Sequence, residues 1–445
     1  KGNFLNLFSR FKQKYFESLE IKKITHNLSW LILDRIFRLL VGVFLGAWFA
    51  RSLGPANFGV WNYAIAYSSL FGAIAALGLD SIVIRELLRH PLEKNKILGS
   101  AFVLKLVAGL LTFLSVFLIV LIFKKDEPLV SKLIIISSLV FIFQAFSVID
   151  FYFQSQVLSK KVVWSQNLSF ILMSVLKIYF LITKKGLVLF GIATAAEALL
   201  TSGFLIYAYY SNSFSIRDWR FSWELSKNLL KDSWLLTFSS LAVMVYMKID
   251  QIMISNISGA TEAGIYSAAV KISELWYFVP VALVSSVYPS IIESKKVSES
   301  LYYSRLQKLY NLMAIIGFAV AIVVTLFKSI IINLLYGPSY HASSDILAVH
   351  IWAGVSVCLG VASSSWLLVE NLQKYSFINT VLGAVFNVLL NLILIPKMGA
   401  MGAALATTIS YFISVFAVLL FKETRKTGGM LLSALTLNRL KISFR

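Results

Sequence analysis

Ionisable side chains interrupt several long apolar stretches of this chain. The cations among them are Arg35, Arg38, Lys105, Lys177, Lys248 and Lys271, and the acids are Asp34, Glu197, Asp250 and Glu274. An ionised side chain at the centre of a membrane helix costs about 2.5 to 3.5 kcal/mol, so such residues usually face a partner, a bundle interior or water. Because the cations outnumber the acids, an interior built from these residues prefers an anionic substrate.

The spacing of the first group predicts an ion pair within one helix. Asp34 and Arg38 are one helical turn apart, so they can pair on one face. This leaves Arg35 to face something else. The interpretations open for these residues are contact with substrate and an ion pair that only fixes packing.

A second group lies in two consecutive apolar stretches. Lys271 and Glu274 are three residues apart and can meet on one helix face. Lys248 and Asp250 fall at a comparable depth, which predicts a polar cluster. Its alternative interpretation is a set of neutralising salt bridges.

The remaining embedded charges stand singly. Lys105 lies near the cytoplasmic end of its stretch, where we expect its long side chain to extend to the interface. Lys177 and Glu197 lie deeper. Signatures of other chemistries are missing from the sequence: there is one cysteine, Cys358, the four histidines show no ligand spacing, and no Walker motif or nucleophile elbow occurs. We therefore expect no metal, no cofactor and no ATP hydrolysis.

The elements that carry these residues are long and apolar enough to cross a bilayer. Hydrophobic residues make up 58% of the 445 residues and charged residues only 14%, against about 25% charged residues in soluble domains. A hydrocarbon core of roughly 30 Å needs about 20 apolar residues. The predicted fold is an all-α membrane protein with about twelve transmembrane helices, at residues 29–50, 58–80, 98–123, 132–153, 162–183, 187–210, 234–255, 263–289, 309–334, 346–369, 376–395 and 399–421.

Basic residues predict the orientation of these helices. Of the 41 Lys and Arg residues, 27 lie at the termini and in one alternating set of gaps, and seven lie in the other set. By the positive-inside rule the richer side is cytoplasmic, which predicts cytoplasmic N and C termini. The net charge of +20 follows from this placement, so no nucleic-acid partner is expected. The outer gaps are too short to hold a catalytic domain.

Two similar glycine motifs indicate an internal duplication. LGPANFGVWNYAIAY contains Gly54 and Gly59, and ISGATEAGIYSAAVK contains Gly259 and Gly264 with the same spacing. With six helices in each half, this predicts a parallel repeat. The predicted organisation is a cytoplasmic amphipathic segment, an N-terminal six-helix bundle, a cytoplasmic linker, a C-terminal six-helix bundle and a basic cytoplasmic tail, at residues 1–28, 29–210, 211–231, 232–421 and 422–445. The N-terminal segment does not have the pattern of a cleaved signal peptide.

Three stretches of the chain resemble a known transporter family. ARSLGPANFGVWNYAIAYSSLFGAIAALGLD, KIDQIMISNISGATEAGIYSAAVKISELWYFVPVALVSSVYPSI and YGPSYHASSDILAVH are similar to Wzx-type polysaccharide flippases of the multidrug/oligosaccharidyl-lipid/polysaccharide exporter superfamily. The resemblance implies two six-helix bundles around a central cavity that opens alternately to each side. It also implies an undecaprenyl-pyrophosphate-linked oligosaccharide as substrate, and a cavity faced by Arg35, Arg38, Lys248 and Asp250.

Residue chemistry and resemblance together predict a non-enzymatic flippase of the bacterial inner membrane. It would carry an O-antigen or similar repeat unit for lipopolysaccharide or related polysaccharides from the cytoplasmic to the periplasmic leaflet. The expected substrate-binding residues are Arg35, Arg38, Lys177, Lys248 and Lys271, and the expected ion-coupling or salt-bridge residues are Asp34, Glu197, Asp250 and Glu274. Expected partners are the lipid-linked oligosaccharide, membrane lipids, H⁺ or Na⁺, and other polysaccharide-assembly membrane proteins.

Two other functions are compatible with a membrane protein of this composition. A drug/cation antiporter of the same superfamily would share the fold, but a cationic substrate calls for an acid-dominated cavity. A membrane-embedded polymerase or glycosyltransferase would be expected to carry catalytic residues in a sizeable loop.

Overall fold

The computed structural model describes the backbone of residues 2–436 and the side chains of Trp30, Asp34, Arg35 and residues 37–436. Within this part of the chain the regular elements are α-helices and short 3₁₀ turns, with no strand. Ten of the described helical segments are long and apolar enough to cross a membrane. The all-α membrane fold predicted from hydropathy is therefore confirmed.

Two of the ten segments are much longer than a bilayer requires. Residues 37–89 form a segment of 53 residues, and residues 373–419 form one of 47 residues. Each contains a glycine with non-helical backbone angles, Gly54 at φ 71° and Gly399 at φ 55°. Division at these two glycines would give twelve spans, and the count of twelve stays a prediction.

Residue contacts divide the described chain into two compact units. The first contains residues 2–46 and 71–238, and the second contains residues 47–70 and 239–436. Residues 47–70, although they belong to the predicted N-terminal bundle, pack with the second unit. The predicted boundaries of the two six-helix bundles stay a prediction. Arg439, Lys441 and Arg445 of the predicted tail lie outside the described residues.

The first unit consists of helices joined by short turns. Its elements are the first part and the end of α1 (Gly2–Ala76), then α2 (Asp80–Arg89), α3 (Lys94–Phe123), α4 (Pro128–Ser138), α5 (Val140–Phe143), α6 (Val148–Ser155), α7 (Ser159–Ile182), α8 (Leu187–Tyr210) and the beginning of α9 (Trp223–Ser258). The buried side chains of Leu98, Val148 and Phe153 lie in its main apolar core. Close van der Waals packing of such side chains contributes to the association of helices in a membrane.

The segment between α8 and α9 is docked onto the first unit. The Arg220 amide donates to the carbonyl of Asn95 at 3.0 Å, and the Ser222 amide donates to the Ser100 hydroxyl at 3.0 Å. The indole of Trp219 donates to the Tyr209 hydroxyl at 3.2 Å. Helix α9 begins at Trp223, eleven residues before the predicted start at residue 234, so the predicted linker is partly helical.

The second unit contains the remaining helices. They are residues 47–70 of α1, the rest of α9, α10 (Ala260–Glu274), α11 (Phe278–Lys295), α12 (Glu299–Tyr336), α13 (Ser343–His350), α14 (Ala353–Val369), α15 (Gln373–Phe416) and α16 (Arg425–Leu435). Two apolar clusters form its core. The span predicted at 263–289 is interrupted at residues 275–277, between α10 and α11.

The two glycine motifs meet inside the second unit. A Cβ at Gly59 would overlap the carbonyl of Ala260, and a Cβ at Gly264 would overlap the carbonyl of Pro55. Only glycine allows two backbones to cross this closely. Arg51 lies nearby in sequence and donates from Nη2 to the carbonyls of Asn333, at 3.1 Å, and Leu334. The duplicated sequence motif is therefore also a packing contact.

Candidate functional site

In the first unit, helix α1 holds a charged pair with a free donor. Arg38 Nε lies 2.9 Å from Asp34 Oδ1, as the one-turn spacing predicted. The guanidinium carbon lies 5.1 Å from the centre of the Phe170 ring. Arg38 Nη2 is buried and has no hydrogen-bond partner among the described residues. Arg35 is exposed. Helix α1 therefore offers a guanidinium group whose hydrogen-bonding capacity is only partly used.

A second charged pair in this unit joins two neighbouring helices. Lys177 Nζ of α7 lies 2.8 Å from Glu197 Oε2 of α8, a contact that the sequence did not predict. Glu197 also lines a cavity of about 320 Å³, together with Asp150, Gln144 and Gln166. The Lys177 charge is thus neutralised within the unit.

Lys105 corrects one expectation. Its side chain is 4% exposed, and Nζ lies 3.3 Å from Asp80 Oδ1 and 4.8 Å from the centre of the Phe151 ring. The prediction that Lys105 extends to the membrane interface is wrong. The Asp80 carboxylate neutralises the Lys105 charge, and the Phe151 ring supplies part of the stabilisation that hydration would otherwise provide.

In the second unit, Glu274 pairs with a lysine other than the predicted one. Its Oε2 lies 3.8 Å from Lys248 Nζ of α9. Lys271 Nζ instead lies 4.4 Å from the centre of the Phe58 ring and forms no ion pair with the described residues. The expected meeting of Lys271 with Glu274 is therefore wrong. The i,i+3 spacing allowed it, but an aromatic face and a lysine from another helix were closer partners.

Lys271 has an unusual environment for a charged membrane residue. It belongs to a segment apolar enough to span the membrane, yet its side chain is exposed. Exposure to lipid tails would be costly for an ammonium group. In a membrane, an ammonium group at this position would be stable only where it faces water or a polar ligand.

Asp250 is buried in a network of neutral hydrogen-bond donors. Tyr266 donates to Oδ2 at 2.6 Å, Asn391 donates to Oδ1 at 2.6 Å, and the Thr407 hydroxyl also donates to Oδ2. Asn391 Nδ2 lies 3.1 Å from Asn387 Oδ1. Asn391 Oδ1 is buried without a hydrogen-bond partner among the described residues. The network thus combines a carboxylate with an unused amide oxygen.

This network was not predicted from the sequence, because the groups that donate to Asp250 are uncharged. A usable signal existed. Asn387 and Asn391 are one turn apart in an otherwise apolar stretch, which predicts a polar contact at membrane depth. Tyr266 carried no such signal, because buried tyrosines are common in this chain.

Near the same network lies a buried histidine. His350 Nδ1 is 2.9 Å from the Ser273 hydroxyl, and its ring meets that of Tyr266 edge-on at 6.0 Å. Among the described residues no group of three or more His, Cys, Asp and Glu side chains is arranged to hold a metal ion. The arrangement is one of carboxylates, amides and cations rather than of transition-metal ligands.

Comparison with known proteins gives a family and a fold. The family described as "Polysaccharide biosynthesis protein" matches residues 24–295. The "Putative O-antigen transporter" of Shigella flexneri is 25% identical over 341 residues, covering 72% of this chain and 78% of the relative. These matches confirm the resemblance predicted from the three sequence stretches, and the relative is named as a transporter, not as an enzyme.

Two solved structures are similar in fold. One is the lipid II flippase MurJ in an inward closed conformation, with a TM-score of 0.68, 19% identity, and coverage of 92% of this chain and 91% of the other. Another is an inward-facing multidrug resistance MATE family transporter of the MOP superfamily, with a TM-score of 0.64, 17% identity, and coverage of 90% and 99%. At these identities the likeness concerns the fold.

Proposed function

The chain belongs to the polysaccharide biosynthesis protein family, and from that premise we propose that it is a flippase for undecaprenyl-pyrophosphate-linked oligosaccharide. The cargo would be an O-antigen or similar repeat unit, moved from the cytoplasmic to the periplasmic leaflet of a bacterial inner membrane by alternating access. The name of the Shigella flexneri relative supports this class of cargo.

The observation that carries the proposal is the state of Lys271. This residue is an exposed cation within a membrane segment and has no ion pair among the described residues. The neighbouring Lys248 and Glu274 neutralise each other at 3.8 Å. Lys271 is therefore available to a pyrophosphate, an anion that binds well to Lys and Arg donors.

A second donor supports the same chemistry from the first unit. Arg38 has one nitrogen, Nη2, that is buried and unpaired among the described residues. Arg35, one residue past Asp34, adds an exposed cation to the same helix. Hydrogen bonds from a guanidinium group to phosphate oxygens are charge-assisted and strong, so the unpaired Nη2 of Arg38 suits this ligand.

The membrane potential supports the proposed direction. With a negative cell interior, outward movement of an anion gains about 2.3 kcal/mol per charge per 100 mV. The predicted cytoplasmic termini would orient the chain in the inner membrane accordingly.

The two proposed binding residues are each tested by a separate neutralising substitution. We expect Lys271→Gln and Arg38→Gln to weaken binding of undecaprenyl-pyrophosphate glycan to the protein in nanodiscs by roughly 10- to 100-fold, since a hydrogen bond to a charged group contributes about 1.5 to 3 kcal/mol. Lys328→Gln is the matched control, because Lys328 pairs with Asp345 at 2.7 Å near the end of α12. Affinities that match those of the control would show that Lys271 and Arg38 do not bind the pyrophosphate.

We further propose that Asp250 couples transport to H⁺ or Na⁺. The predicted coupling acids Asp34, Glu197 and Glu274 each face a cation. Asp250 instead accepts hydrogen bonds only from neutral groups among the described residues. One of these groups is the Asn391 amide, whose oxygen has no hydrogen-bond partner there. A proton or a small hard cation would complete this set, because such cations prefer oxygen ligands.

Imposed gradients test the coupling in proteoliposomes. A proton or sodium gradient should accelerate glycolipid transport by the wild type and leave Asp250→Asn unaffected. Glu197→Gln serves as a control for removing a membrane acid. Equal stimulation of the wild type and Asp250→Asn, or a wild type insensitive to both gradients, would contradict the role given to Asp250.

A further inference from the structure

The second unit contains a cavity that the charged residues do not reach. It has a volume of about 460 Å³ and lies among α9, α14, α15 and the break between α10 and α11. Its volume falls within the range of about 300 to 1,000 Å³ that is typical of small-molecule sites. A cavity of this size can hold one or two sugar rings.

The chemistry of the lining excludes a charged ligand. None of its fourteen residues carries a charge, and eight of them carry a hydroxyl group. The three tyrosines are Tyr246, Tyr277 and Tyr411. A pyrophosphate would find no cation here, and an organic cation would find no acid. The lining instead offers neutral donors and acceptors beside aromatic rings.

Two of the three tyrosines, Tyr246 and Tyr411, pack tightly against their surroundings. The rings of Tyr246 and Tyr411 are stacked with centres 4.3 Å apart and planes 20° apart. A Cβ at Gly383 would lie 2.8 Å from Cε2 of Tyr246, so the absence of a side chain at Gly383 makes room for this ring. Rigid aromatic side chains lose little entropy when a ligand binds, which favours specific recognition.

One buried hydroxyl group in the lining is only weakly satisfied. The Tyr277 oxygen makes no well-aligned hydrogen bond with the described residues, and Ser273 is the side chain that interacts with it. A buried hydroxyl without a well-aligned hydrogen bond is destabilising. A ligand that carries its own hydroxyl groups would remove this cost.

We propose that this cavity binds an uncharged sugar ring of the lipid-linked glycan, with Tyr246, Tyr277 and Tyr411 as specificity-determining residues. The inference rests on the proposed function, since it assigns the glycan of that cargo to a site separate from the cations expected to hold the pyrophosphate. Sugars combine apolar C–H faces with hydroxyl groups, and the lining matches both parts. A polyprenyl tail would fill the volume but would offer no hydrogen bond to the hydroxyl groups of the lining, some of which already donate to backbone carbonyls.

The test compares two ligands that differ only in the glycan. The probes are undecaprenyl pyrophosphate and undecaprenyl pyrophosphate carrying a neutral disaccharide, taken from a panel of hexose and N-acetylhexosamine pairs, and binding is measured in nanodiscs. The variants are Tyr277→Phe and Tyr246→Phe, which retain the ring. Tyr310→Phe is the control, because Tyr310 is a fully buried tyrosine of the same unit outside the cavity, and its oxygen likewise makes no well-aligned hydrogen bond with the described residues.

We expect the wild type to bind at least one disaccharide lipid more tightly than the bare lipid. Each cavity variant should weaken that ligand by about tenfold while changing the bare lipid by less than twofold. Tyr310→Phe should change neither. Equal weakening of both lipids would point to the polyprenyl tail or to the pyrophosphate and overturn the proposal. It would also be overturned if the variants had no effect, or if the wild type preferred none of the disaccharides.

Transport measured in parallel separates the two proposals. A wild type that binds the disaccharide lipid through these tyrosines but does not flip it would refute the proposed function and leave the sugar site intact. A wild type that flips the glycolipid and the bare lipid equally, with no effect of the tyrosine variants, would support the proposed function and refute the sugar site.

Discussion

Removal of the Glu274 carboxylate should strengthen substrate binding rather than weaken it. Glu274 lies 3.8 Å from the Lys248 ammonium, and the two side chains are 19% and 27% exposed. At this distance two unit charges attract each other by about 4 kcal/mol in an effective dielectric constant of about 20. In the Glu274→Gln variant this attraction disappears, and Lys248 joins Lys271 as a second cation available to a pyrophosphate.

Only part of that energy will appear as affinity, because water screens an accessible site. If about a third of it is recovered, the gain is about 1.4 kcal/mol, or tenfold in affinity. We expect Glu274→Gln to bind undecaprenyl-pyrophosphate glycan about tenfold more tightly and to release it more slowly, which lowers turnover. Titration in nanodiscs and single-turnover transport in proteoliposomes measure the two effects.

The matched control is Asp345→Asn, which also removes the acid of a lysine pair. Asp345 is 62% exposed beside Lys328, near the end of α12, and its loss should leave affinity unchanged. Weaker or unchanged binding by Glu274→Gln would refute the argument that Lys248 and Lys271 act on an anion.

Two further predictions concern packing within each of the two units. Gly264→Ala should lower thermal stability strongly, because its Cβ would overlap the Pro55 carbonyl, whereas Gly203→Ala meets nothing within 4 Å and should be neutral or stabilising in a fluorescence-detected melting assay. Equal melting temperatures would contradict the close crossing. Asp80→Asn should be more destabilising than Lys105→Met, since the former leaves the buried Lys105 ammonium unpaired while the latter leaves only a 63% exposed carboxylate. The reverse order would mean that Lys105 is neutralised by other groups.

Hydropathy was sufficient to predict the helical membrane fold. Apolar stretches of about 20 residues have few stable alternatives in a chain with so little charge. The pair Asp34–Arg38 was also predictable, because one helix turn fixes the distance between its members.

Contacts between helices could not be predicted from hydropathy or from spacing along one helix. Lys177–Glu197 and Lys248–Glu274 join residues of different helices, and their approach depends on how those helices pack. The spacing of Lys271 and Glu274 allowed a local pair, but tertiary contacts with Phe58 and Lys248 replaced it. The position of the Lys105 side chain also depends on a tertiary contact, because its partner Asp80 lies at the start of another helix.

The Asp250 network could not be predicted from the positions of charged residues. The side chains that donate hydrogen bonds to Asp250 come from α10 and from two separate parts of α15. Asn391 and Thr407 are 141 and 157 residues from Asp250 in sequence. Uncharged amides and hydroxyl groups in apolar stretches carry a weaker signal than charges. The tyrosine-lined cavity is missed for this reason too, since its lining contains no charged residue.

The central claim is tested most directly by the cargo that the wild-type protein moves. Proteoliposomes containing the purified protein would be loaded with a fluorescent undecaprenyl-pyrophosphate disaccharide, and its appearance in the opposite leaflet would be followed by quenching from outside, with organic cation exchange for protons measured in the same vesicles. Transfer of the glycolipid at a rate well above that of protein-free vesicles, without cation exchange, is the predicted result. Cation exchange without glycolipid transfer would contradict the account and identify the chain as a drug antiporter.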